Sequence, residues 1–80
     1  MIILFVMQNG FWENHIYDDN ENINEIEKER IDDINNGYID DYRIVNIKNM
    51  DINETKVLAE CIERLADDSG EVDYAISLLI

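Results

Sequence analysis

The chain has 80 residues, enough for one domain, and 46% of them are hydrophobic, so its composition is that of a folded protein. It carries 19 Asp and Glu residues against six Lys and Arg, a formal net charge of -13. This charge excludes direct binding to nucleic acid, which requires basic residues that neutralise phosphates, and it opposes binding to a negative membrane surface. Three possibilities remain: a basic partner, a cation, or no partner.

The apolar run Met1–Met7 has no preceding positive segment and is too short for a signal peptide or a membrane span. Cys61 is the only cysteine, so no intramolecular disulfide can form. We expect its side chain to be a small buried hydrophobic group. Together these features predict a reducing location, the cytoplasm of a host cell.

Two strands are predicted at the start of the chain. The continuous apolar run Ile2–Met7 is typical of a central strand that is buried on both sides. Asn9 and Gly10 follow, and both tolerate the positive φ of a tight hairpin turn. The segment Phe11–Tyr17 is therefore predicted to be a second, antiparallel strand.

The segment 22–35 has the period of a helix. Asn20 is its expected N-cap, and Gly37 follows its expected end. Its predicted buried stripe consists of Ile23, Ile26, Ile31 and Ile34.

A third strand is predicted over Asp41–Lys48. Asp51 and Glu54 then form a capping box that opens a second helix, which is expected to end near Ala66. The predicted core face of this second helix consists of Val57, Leu58, Cys61, Ile62 and Leu65.

Residues 71–80 fit either a strand or a third helix, and the helix is preferred because Asp68 and Glu71 can cap it. The predicted order is β-β-α-β-α-α. We expect a single α+β domain over residues 1–80, with a small, largely antiparallel three-stranded sheet and two or three helices packed on one face.

The negative charge is concentrated in the first half of the chain. Residues 1–41 hold 11 acidic and two basic residues, whereas residues 42–80 hold eight acidic and four basic residues. In the second helix Lys56, Glu60 and Arg64 follow one another at four-residue spacing and balance their own charges. The first helix has no such pattern, and Lys28 is its expected source of neutralisation.

The acids of the first helix and its flanks are the candidate partner-binding residues. Glu21 and Glu25 are predicted to be about 6 Å apart along the helix axis, close to two phosphate steps of DNA. The alternative is an ordinary charged, solvated helix face. Tyr38 is a candidate interface anchor. The candidate acids are Asp18, Asp19, Glu21, Glu25, Glu29, Asp32, Asp33, Asp40 and Asp41.

No motif in the sequence indicates an enzyme, a metal or a cofactor. The single His15 and the single Cys61 cannot form a zinc cluster. A calcium loop beginning at Asp18 would require glycine where Ile23 stands. The acids lie in polar segments, so none is expected to be a buried general acid or base. We therefore expect a non-enzymatic protein without metal or cofactor.

The order of these segments resembles the N-terminal part of the ArdA antirestriction family. In that family a strand, an Asn-Gly-type turn and a second strand precede an acidic helix, a strand and an amphipathic helix. The similarity covers most of this chain but about half of a typical member, whose later, dimer-forming domains are missing. The corresponding segments here are Ile2–Met7, Asn9-Gly10, Trp12–Tyr17, Ile23–Ile34, Asp40–Ile44 and Val57–Leu65.

The resemblance implies a phage or mobile-element protein that acts as a DNA mimic and occupies the basic DNA-binding groove of a restriction enzyme. Small acidic anti-CRISPR proteins are similar in size and charge and act on CRISPR–Cas effectors. The expected function is therefore inhibition of one of these two host defence complexes, by a monomer or a homodimer. The alternative is an interaction module that binds through an apolar patch, with Leu78, Leu79 and Ile80 as its expected location.

Overall fold

In residues 1–79, three strands and three helices follow one another in the predicted order β-β-α-β-α-α. The computed structural model describes the backbone of residues 1–79 and the side chains of residues 1–78. The elements are β1 (Ile2–Gln8), β2 (Phe11–Tyr17), α1 (Ile23–Asn35), β3 (Asp41–Asn46), α2 (Ile52–Leu65) and α3 (Ser69–Leu79).

The strands form one antiparallel sheet in the order β2-β1-β3, which confirms the predicted fold class. Ile2 pairs with Tyr17 on one side and with Asn46 on the other, so β1 is the central strand. The turn between β1 and β2 contains Asn9 and Gly10 with φ of 55° and 83°. Two consecutive positive φ angles match the twist of the flanking strands, which explains why Asn-Gly indicates a hairpin here.

The helices lie on both faces of the sheet, so the prediction that they cover one face is wrong. Ile3 and Phe5 of β1 belong to the core cluster that contains residues of α2 and α3. Leu4 and Val6 point to the opposite face, where Ile26 of α1 covers them. Because side chains alternate along a strand, the continuously apolar β1 needs a cover on each side.

The helix ends follow from local capping chemistry. Asn22, not the expected Asn20, caps α1, and its side-chain oxygen accepts a hydrogen bond from the Asn24 backbone N–H at 2.9 Å. Asp51 caps α2 through the Glu54 N–H at 2.8 Å, as predicted. Asp68 accepts from the Glu71 N–H at 2.8 Å, and residues 69–79 are helical. The choice of a helix for this segment is therefore confirmed up to residue 79.

The core face of α2 differs from the predicted one. Val57 and Leu65 are 69% and 72% exposed, and the Cys61 side chain is also exposed, so its predicted burial is wrong. The buried face is turned by about 100°, one residue along the helix. It consists of Thr55, Ala59, Ile62 and Ala66.

Small residues on this face have a physical reason. The large side chains of Phe5 and Trp12 already occupy the same core cluster. Ala59, which is fully buried, leaves room for them and lets α2 approach the sheet closely. Thr55 is also fully buried, and its hydroxyl donates to the Asp51 carbonyl oxygen at 2.7 Å, so it leaves no unpaired donor.

Candidate functional site

The exposed face of α1 carries the centre of the predicted acidic surface. Of the predicted buried stripe, Ile26 is buried against the sheet and Ile23 is half-buried, so the opposite side of the helix faces solvent. The prediction is wrong for Ile31 and Ile34, which are exposed. Glu25 and Asp32 lie on this outer side, two turns apart, which corresponds to about 10 Å along the axis. Three phosphate steps of one DNA strand span a similar distance, about 10 Å.

Glu21 was predicted to lie on the outer face of this helix, but it does not belong to the helix. The helix begins at Ile23, and the Glu21 backbone N–H closes a turn on the Asp18 carbonyl oxygen at 3.1 Å. The Glu21 side chain is exposed just before the helix. The helical rise therefore does not set its separation from Glu25.

Two of the candidate acids share a cation that the sequence analysis overlooked. Arg30 belongs to α1, and only 18% of its side-chain surface is exposed. Its guanidinium lies 3.2 Å from Glu29 and 3.0 Å from Asp33. Lys28 is therefore not the only source of neutralisation. Within the part of the chain that the structure describes, no ion pair within 4 Å involves Glu25 or Asp32.

Glu27, which was not a candidate, is also engaged. The Tyr42 hydroxyl of β3 donates to its carboxylate at 3.1 Å. Partial burial raises the pKa of Tyr42, and the bond to Glu27 raises it further. This bond ties α1 to the sheet and orients the helix relative to β3.

Acids in the connecting segments extend the surface beyond both ends of α1. Asp18 and Asp19 follow β2, at the end of the sheet where β1 starts. Asp40 precedes β3, at the opposite end, where β1 finishes. All three are exposed. Asp19 also contacts the Met1 amino group. We define the acidic surface as Asp18, Asp19, Glu21, Glu25, Glu29, Asp32 and Asp40.

Asp41 lies apart from this surface. It pairs with Met7 in the sheet, so its side chain points to the α2 and α3 face, away from α1. The Asp41 carboxylate accepts hydrogen bonds from the Ser69 hydroxyl of α3, from the Tyr42 N–H at 2.8 Å and from Arg43 at 2.8 Å. Arg43 also binds Asp73 of α3 at 2.6 Å.

These bonds change the acidity of Asp41. Burial by itself raises its pKa, but the hydrogen bonds from Ser69, the Tyr42 backbone and Arg43 outweigh burial and hold the pKa below the usual range. The charged form is thus favoured in the folded protein. We interpret Asp41 as a structural link between β3 and α3.

Replacing Asp41 by Asn is expected to lower the free energy of unfolding at pH 7 by about 1 kcal/mol, because the site is partly exposed to solvent. A lowered folded-state pKa stabilises the fold above the unfolded pKa of about 3.9 and loses this contribution as pH falls through the folded-state pKa. Urea unfolding at pH 7 and near pH 3 measures the difference.

The exposed neighbour Asp40 supplies the control, since its replacement by Asn removes the same charge from outside this network. We expect Asp40→Asn to leave the free energy of unfolding nearly unchanged. An equal loss for Asp41→Asn at both pH values would contradict the structural role of the Asp41 carboxylate.

Tyr38 is 64% exposed and follows Gly37, whose φ of 76° ends α1. The Tyr38 backbone N–H donates to the Asp33 carbonyl oxygen at 2.8 Å. The side chain thus projects from the connection between α1 and β3, beside Asp40. Its use as an interface anchor stays a prediction.

A second exposed feature, which the apolar period of the sequence does not indicate, lies on the other side of the molecule. Val57, Cys61 and Leu65 form a row along the outer side of α2, which we name the α2 stripe. A shallow, almost entirely apolar depression beside it is lined by Val57, Leu58 and Cys61 together with Asn53 and Glu54. The available signal was the spacing of Thr55, Ala59, Ile62 and Ala66, which marks the true buried face.

Other site types lack support in residues 1–79. No group of three or more His, Cys, Asp or Glu residues there is arranged to hold a metal ion. No helix in that range is both long and apolar enough to cross a membrane. Comparison of the chain with protein-family models, with curated proteins and with solved structures finds no match.

Proposed function

We propose that the protein inhibits a host DNA-processing defence complex by occupying its basic DNA-binding groove with the acidic surface. The observation that carries this proposal is the pair Glu25 and Asp32, which lie on the solvent side of α1 and have no ion-pair partner within 4 Å in the described residues. Two carboxylates at this separation present negative charges at the spacing of phosphates along one DNA strand, which a basic groove can bind.

The flanking acids strengthen the proposal. Asp18 and Asp19 lie beyond one end of α1, and Asp40 lies beyond the other end. With the 13 residues of the helix between them, a span of about 20 Å, the surface is long enough to follow several phosphates. A net charge of -13 also speeds encounter with a basic groove and makes binding sensitive to salt.

The first test asks whether DNA and this protein compete for one site. The immobilised protein is incubated with bacterial lysate, and retained proteins are eluted with duplex DNA or with increasing NaCl. We expect a retained restriction or CRISPR–Cas component to be released by both treatments, since both weaken contacts between carboxylates and basic residues. A specifically retained component that neither treatment releases would contradict the proposal.

A second candidate function is a protein-interaction module that binds through apolar surface. The exposed α2 stripe favours it. Leu78, which the sequence analysis proposed for such a patch, is 64% exposed, whereas the Leu79 side chain and Ile80 lie outside the described residues. Binding that is insensitive to salt and to DNA, and that is lost when Val57 and Leu65 are replaced, would favour this function.

A further inference from the structure

We propose that the α2 stripe binds the same stripe of a second copy of the chain, which gives a two-fold symmetric dimer with antiparallel α2 helices. The stripe is the exposed row Val57, Cys61 and Leu65, and its two largest side chains are about 70% exposed. In folded monomeric proteins, a contiguous exposed apolar surface marks an interaction site. This inference is independent of the function of the acidic surface.

The spacing of the stripe suits an antiparallel pair. Its three residues are four apart, so they form one row about 12 Å long on the helix surface. When the two-fold axis passes near Cys61, Val57 of each copy lies opposite Leu65 of the other. Each apolar side chain then meets an apolar side chain, and the two Cys61 residues meet at the axis.

The charges beside the stripe point to a second copy as the occupant. Glu60 and Arg64 lie on one side of the stripe, one turn apart, and both are exposed. In an antiparallel pair related by a two-fold axis, the same sides of the two helices meet. Glu60 of one copy therefore approaches Arg64 of the other, and the reverse pair forms by symmetry.

Both charges are available for this contact. Within the described residues, no ion pair within 4 Å joins Glu60 to Arg64 or to another group. The pairing of Glu60 with Arg64 that the sequence predicts within one helix would thus form between copies.

Repulsion between two chains of charge -13 opposes association, and the fold reduces it. The acidic surface lies on the α1 side of the sheet, whereas the α2 stripe lies on the other side. A sheet and a helix separate them, roughly 20 Å, against a Debye length of about 8 Å at physiological salt. The dimer would carry its two acidic surfaces on its outer sides.

The test is sedimentation equilibrium of the full chain over increasing protein concentration, at about 0.1 M and about 0.5 M NaCl. We expect a monomer–dimer equilibrium that changes little between the two salt concentrations, because the acidic surfaces are already screened from each other at the lower one and the contacts of the α2 stripe are mainly apolar. Binding of a basic groove to the acidic surface is expected to weaken strongly over the same range of salt, so failure of one proposal is distinguishable from failure of the other.

The variant Val57→Ser with Leu65→Ser should weaken dimerisation about a hundredfold or more, since four apolar side chains then leave the interface. The matched control is Ile31→Ser with Tyr38→Ser, which removes exposed apolar groups from the α1 side and should leave the dimer intact. Circular dichroism checks that both variants fold.

Two further variants test the geometry. Glu60→Arg or Arg64→Glu alone should weaken the dimer, and the two together should restore it. Mild oxidation should join two chains through Cys61, with faster cross-linking in the wild type than in the Val57 and Leu65 double variant. A wild type that stays monomeric at both salt concentrations would overturn the proposal. So would a dimer that survives the double substitution, or a charge exchange that fails to restore it.

Discussion

Replacing Glu21, Glu25 and Asp32 together by Lys is expected to raise the concentration needed for half-inhibition of the target nuclease about a hundredfold. Three exposed charge contacts at up to about 1 kcal/mol each give a loss of roughly 3 kcal/mol, before repulsion from the new lysines is counted. DNA cleavage by a restriction enzyme and by a CRISPR effector, each with increasing inhibitor, measures the effect.

The choice of residues follows from the structure. All three are exposed, and within the described residues none lies in an ion pair within 4 Å. Glu29 is left unchanged because it shares Arg30 with Asp33. The substitutions therefore alter the acidic surface without breaking a described ion pair.

A variant of equal charge change is the control. Glu54, Asp67 and Glu71 are exposed, lie on the α2 and α3 side of the sheet, and give the same net charge when replaced by Lys. The Glu54 backbone N–H still binds the Asp51 cap in this variant. We expect the control to inhibit nearly as well as the wild type, because location and not total charge decides competition. An equal loss of inhibition in both variants would mean that net charge, and not the location of the acids, accounts for the effect. Unchanged inhibition in both variants would rule out the mimicry mechanism.

Replacing Ile62 by Ala is expected to lower the free energy of unfolding by about 2–5 kcal/mol, whereas Leu65→Ala should change it by less than about 0.5 kcal/mol. Ile62 is 1% exposed and packs in the core cluster that residues of α2 and β1 form together, so its truncation leaves a cavity. Leu65 is 72% exposed, so its truncation leaves none. Chemical denaturation of both variants measures the difference.

The comparison tests which face of α2 is buried. The apolar period of the sequence places both residues in the core and predicts similar losses. Similar losses would therefore contradict the packing described here. Dilute protein should be used, because Leu65 also belongs to the α2 stripe and dimerisation would add stability that depends on concentration.

The sequence by itself determined the elements and their order. Each strand or helix signal rests on neighbouring residues: the apolar run of β1, the positive φ tolerated by Asn9 and Gly10, and the cap that Asp51 forms with the Glu54 N–H. Such interactions involve residues at most a few positions apart, so they can be predicted without the fold. Net charge also needs no structure, and it predicts that nucleic acid is not a direct partner.

The tertiary structure alone decided which surfaces remain available. Hydrophobic period indicates Val57 and Leu65 as core, but the bulk of Phe5 and Trp12 favours the small residue Ala59 at the contact with the sheet. That choice depends on residues about 50 positions away.

The acids follow the same logic. Asp41 is predicted as part of the acidic row, yet the pleat of β3 directs it to Ser69 on the other face. Arg30 engages Glu29 and Asp33 through side-chain geometry that charge counting does not show. The exposed residues are those that neither pack in the core nor pair with another group, so the location of the acidic surface depends on the tertiary structure.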